Sequence, residues 1–84
     1  MNVEIENLRK QIDLIDDEIL KLFLKRLYLC EKIGDQKKLL GLDVKDVNRE
    51  KKILEKIKIA AGENSQAAVE LFKFIIDMCR KVQR

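Results

Sequence analysis

A cation stands where a long apolar stripe calls for a hydrocarbon side chain. Ile5, Leu8, Ile12, Ile15, Ile19 and Leu22 alternate steps of three and four, the spacing of one helix face. The next step lands on Arg26, and Lys37 follows further along, only about 20° further round a helix that turns roughly 100° per residue. Both charged side chains therefore point with the stripe, and Leu22 and Ile33 on either side of Arg26 leave it little route to water. For Arg26 alone, a structural pair with a core carboxylate is an equally good reading, since unpaired arginine is rarely buried. A second group repeats the pattern: Asp46 and Glu50 lie four apart, Arg49 sits beside them, and Glu50 extends the side formed by Ile53, Leu54 and Ile57. Asp46 also suits a first-turn cap, and Glu50 a surface ion pair, which contributes little. A third stripe, Phe72, Ile76 and Cys79, ends on the amide of Gln83, a position that frays by default. Singly these are weak signals. Taken together, inward cations, a carboxylate and a neutral amide describe a polar cavity: a forked guanidinium grips carboxylates, an ammonium addresses one oxygen, and an amide donates a hydrogen bond without adding charge.

The elements that must position these groups are helical. The 84-residue chain contains no proline and three glycines, with 39% charged, 46% hydrophobic and 5% aromatic residues, a long-helix composition. No stretch alternates with period two, so the expected class is all-α with three helices, one very long and two shorter, in a single domain over residues 1–84. The first runs from roughly Val3 to Leu39, with Gly34 inside it at a cost of about 1 kcal/mol relative to alanine. Gly41 suits a left-handed cap, Asp43 and Asp46 offer N-caps for a second helix reaching Ala61, and Gly62 closes it. Asn64 or Ser65 then caps a third helix carrying Ala68, Phe72, Ile75, Ile76, Cys79 and Val82 on one side.

Several function classes drop out. Eighteen basic residues against fifteen acidic leave a formal charge of +3, too little to argue for nucleic acid. No apolar run reaches the roughly 18 residues of a membrane span, and the acidic start is unlike a signal peptide, so a soluble, cytoplasmic protein without membrane or nucleic-acid partners is expected. With no histidine, serine–histidine and cysteine–histidine nucleophiles and most zinc sites are out of reach; no metal or cofactor is expected. Cys30 and Cys79 lack any CxxC spacing. A disulfide between them is open in principle, but two buried free thiols in a reducing compartment are the expected state.

Length then bears on assembly. A helix of about 35 residues is about 52 Å long, whereas a compact domain of this size has a radius of gyration of roughly 12 Å. The overhang needs a second chain, and an intertwined homodimer covers both overhangs at once. The same arrangement gives Arg9 a role. It lies roughly 25 Å before Arg26 on the same helix, too far for one pocket, but in an antiparallel dimer it can enter the neighbouring site. Otherwise it is an ordinary solvated arginine.

The residues that carry a family likeness are Leu8-Arg9, Ile12, Ile15-Asp16, Lys25-Arg26, Ile33-Gly34, Lys37, Val44 through Glu50 with its D-x-x-R-E cluster, Leu71 through Ile76, Cys79 and Gln83. In that order and spacing the chain resembles the all-helical (AroQ class) chorismate mutases over almost its whole length. The resemblance implies an intertwined dimer with two active sites that turns chorismate into prephenate by a Claisen rearrangement, on the route to phenylalanine and tyrosine. It implies that Arg26 and the second chain's Arg9 hold the two substrate carboxylates. Lys37 and Gln83 then address the ether oxygen, Glu50 the ring hydroxyl, Asp46 contributes nearby, and Arg49 braces the acidic cluster. Cys79 replaces a serine that many members use towards a carboxylate, and a thiol is the poorer donor. Two rivals remain: a pyruvate lyase acting on isochorismate on a related scaffold, and a non-enzymatic helical dimerisation module whose stripe is a coiled-coil seam.

Overall fold

The computed structural model describes residues 2–83, and its order is α1 (Val3–Leu40), α2 (Val47–Ala61), a 3-10 turn (Gly62–Asn64) and α3 (Ser65–Val82). The described residues are all-helical, as the periodicity requires. Each boundary has a local cause. The Asn2 side chain accepts from the Ile5 N–H at 3.1 Å and opens α1. Gly41 ends it at φ 68°, the left-handed conformation that a Cβ disfavours, with the Gly41 and Leu42 N–H groups returned to the Lys38 and Lys37 carbonyls. Asp46 opens α2 by accepting from the Arg49 N–H at 3.0 Å.

The third boundary differs from expectation. Neither Asn64 nor Ser65 caps α3 through its side chain. The 3-10 turn runs directly into the helix, and the Ser65 N–H is taken by the Gly62 carbonyl instead, so α2 and α3 form one helical stretch redirected at Gly62, φ 56°.

α3 is the central element. It packs against both α1 and α2, while α1 and α2 do not pack on each other among the described residues. The opening left between them, floored by α3, is where the site sits. The α1–α3 seam also corrects the cysteine expectation: Cys30 and Cys79 are not free thiols but a disulfide, with their Cα atoms 5.4 Å apart, within the usual range for such bonds. The bare backbone at Gly34, one turn beyond Cys30, lets the two helices come this close. Composition and spacing do not reveal that approach.

The molecule is a rod of 58 × 26 × 15 Å with a radius of gyration of 16.5 Å, well beyond the roughly 12 Å of a globule this size. α3 covers only the C-terminal part of α1. Ile5, Leu8, Ile12, Ile15, Ile19 and Leu22 are left between 44% and 65% exposed.

Candidate functional site

Three elements and one loop contribute to a cavity of about 380 Å³, within the usual size range of small-molecule sites. α1 supplies Arg26, Leu29, Cys30, Ile33 and Lys37; the loop supplies Val44; α2 and its cap supply Asp46, Arg49, Glu50 and Ile53. Ile76, Cys79, Arg80 and Gln83 of α3 complete it. Every candidate chosen from the sequence therefore lines one space, with the exception of Arg9. That residue lies on the exposed part of α1 and pairs with Glu6 at 3.4 Å.

The cations face inward as the stripe demands. Arg26 is half-buried, and among the described residues of this chain it has no carboxylate partner. Its Nη1 donates to the Cys30 sulfur at 3.6 Å, a weak acceptor. Burial, and then the neighbouring Arg49 charge, push the Arg26 pKa down from its ordinary value. The guanidinium remains charged at neutral pH, so it favours an anion in this cavity. Lys37 donates from Nζ to the Val44 carbonyl at 2.6 Å. This bond draws the 41–46 loop over α1, and an ammonium with three donors keeps two for a ligand.

The acidic side is held by a cap and by an ion pair in which Arg80 Nε is buried without a hydrogen bond. One Asp46 oxygen is committed to the start of α2. The Glu50 carboxylate lies 3.5 Å from Arg80 Nε, and the Arg80 Nη2 donates to Asp77 at 3.1 Å. Arg80 went unnoticed in the sequence. Its signal was there: it lies four residues after Ile76 and three before Gln83, so it shares their face. Gln83 is 7% exposed. Its Nε2 donates to Cys79 Sγ at 3.2 Å, while its Oε1 is buried with no hydrogen-bond partner. The disulfide also changes what Cys79 can offer: a bridged sulfur carries no hydrogen, so the expected thiol donor is a weak acceptor here.

Four cations (Arg26, Lys37, Arg49, Arg80) against two carboxylates (Asp46, Glu50) leave the cavity two positive charges in excess. Such a lining suits a small dianion. It offers donors fixed by the fold, the arrangement that stabilises charge developing on a bound molecule.

Comparison with known proteins follows the same lines. Residues 8–84 match the family described as Chorismate mutase type II. A chorismate mutase of Methanocaldococcus jannaschii is 30% identical over 84 residues, covering 96% of this chain and 85% of that protein. A bifunctional chorismate mutase/prephenate dehydratase of Aquifex aeolicus is 36% identical over 87 residues; the chain spans only 24% of its length. A solved structure, a conserved hypothetical protein from Pyrococcus furiosus, superposes with a TM-score of 0.81 at 37% identity, each chain covered in full.

Proposed function

The chain belongs to the type II chorismate mutase family, and we infer that its 84 residues act as one mutase domain that rearranges chorismate to prephenate. The observation that carries this reading is the convergence of Arg26, Lys37, Glu50 and Gln83 on one cavity with two positive charges in excess, the complement of a dicarboxylate. Arg26 grips one carboxylate through its fork. Lys37 and the Gln83 amide direct donors at the ether oxygen, where negative charge grows as the C–O bond breaks and the new C–C bond forms. Glu50, held by Arg80, accepts from the ring hydroxyl, with Asp46 close by and Arg49 bracing the acidic pair. The rearrangement is intramolecular and needs no nucleophile or proton transfer, so a site without histidine suffices. Its work is to hold a flexible dianion with the reacting carbons together and to stabilise the charge that develops.

The second carboxylate needs another cation, and we assign it to Arg9 of the partner subunit in an intertwined homodimer. Two observations support this: the unpartnered apolar stripe on α1, and the open side of the cavity, where Leu29 and Ile33 stay half exposed. Among the described residues no helix is long and apolar enough to cross a membrane; a cytoplasmic setting goes with the biosynthetic reading, although the Cys30–Cys79 disulfide is the less usual state of cysteines there.

The test is direct. Purified protein given chorismate should deplete its absorbance and accumulate prephenate. Salicylate and pyruvate as products would assign the lyase chemistry instead, and a folded protein without turnover would overturn the enzymatic reading.

A further inference from the structure

Two consecutive rungs join α1 to α3, and both end on a site residue. Cys30 and Gly34 lie one turn apart on α1; Cys79 lies in the last turn of α3, and Gln83, four residues on, is the cap that ends it. The first rung is the Cys30–Cys79 disulfide. The second is a contact with no side chain on the α1 side: a Cβ at Gly34 would lie 2.8 Å from Gln83 Cα, 3.0 Å from its Cβ and 3.2 Å from its Cγ. The nearest of these atoms is backbone, so the helix end itself would have to move. Gln83 has already left the helix, at φ −87° and ψ 81°, a place where a chain ordinarily frays. Here it is buried, and the bridged Cys79 sulfur accepts from its Nε2 while the Cys30 sulfur accepts from Arg26.

We propose that the Cys30–Cys79 disulfide and Gly34 form a two-rung clamp that positions the Gln83 amide in the cavity, so that opening either rung lowers turnover more than substrate binding. The clamp rests on the mutase reading for its kinetic consequence but not for its structural one. Gln83 is the donor; Gly34 and the bridge are positioning residues that act through it. Opening the first rung is a thiol–disulfide exchange: a dithiol reductant gives two electrons and two protons, leaving two cysteine thiols and its own cyclic disulfide. Opening the second takes one methyl group. A displacement of about 1 Å at a reacting centre costs on the order of a hundredfold in rate, which sets the scale of the expected loss.

The experiment compares oxidised wild type, dithiol-treated wild type and Gly34→Ala, with thiol counts establishing the state of each. Two readouts are taken: kcat and KM with chorismate, and hydrogen exchange of peptides covering residues 79–83. The clamp requires kcat to fall roughly ten- to a hundredfold in both altered forms with KM moving much less, and the 79–83 amides to lose protection. Gly34→Ala is informative because alanine is the better mid-helix residue, so a role confined to helix stability predicts an unharmed enzyme. Wild-type kcat and undiminished protection in both forms would overturn the clamp. If oxidised wild type fails to turn over chorismate, the mutase reading falls, and exchange alone decides: faster exchange at 79–83 upholds the clamp, unchanged exchange overturns it.

Discussion

Lys37 and Gln83 do different electrostatic work at one proposed oxygen, and the two are separable by substitution. Lys37→Met keeps the length of the side chain and removes its charge, so kcat should drop about 10²–10³-fold, the usual loss for one donor aimed at developing charge; steady-state kinetics on a variant with unchanged helicity checks it. Gln83→Glu tests the amide by giving it a titration. As a carboxylate it repels the negative charge forming on the ether oxygen, and as a carboxylic acid it donates in the amide's place. Activity of that variant should therefore rise as pH falls through its carboxyl pKa, while wild type shows no such rise over the same interval; a pH–rate profile of both distinguishes them. These residues were legible in the sequence because a charge or an amide inside an apolar stripe is conspicuous. Arg80 shares the face of Ile76 and Gln83 but, next to Lys81 near a helix end, reads as a solvated cation. Only the close approach of α2 to α3 reveals that it carries Glu50.

At the level of elements, two helix ends were readable. Gly41 and Asp46 act through a backbone angle or a side chain within a few residues, so local sequence suffices to place those breaks, whereas the start of α3 follows from the 3-10 turn at Gly62 and not from an Asn64 or Ser65 side-chain cap. The relation of α1 to α3 was not readable, because it depends on atoms far apart in the chain: Gly34 looks like a mild defect until Gln83 is seen lying against it. The disulfide belongs to the same class of long-range fact. It spans a sequence separation of 49, and closing a loop of that size removes unfolded-state entropy worth about 4 kcal/mol. Reduced protein should accordingly unfold at a lower urea concentration than oxidised protein, with a loss approaching that figure; matched denaturation curves with and without a dithiol measure it.

For the whole molecule, the decisive fact is an elongated shape with a hydrocarbon stripe on its outside. The proposed dimer places Arg9 in the opposite site and yields a sharp expectation. Arg9→Ala and Arg26→Ala proteins are each inactive alone, yet after subunit exchange each heterodimer regains one intact site of two. Random one-to-one mixing should restore roughly a quarter of wild-type specific activity, as two-fold symmetry dictates. No recovery despite exchange proven by mass-tagged subunits would place Arg9 outside the site. The uncovered N-terminal stretch of α1 has one more consequence, for how the protein comes to exist. In the proposed dimer that segment condenses on a second chain, so its order awaits a collision. Renaturation should then slow as the solution is diluted, and the melting midpoint should climb with protein concentration, as though abundance itself were a ligand.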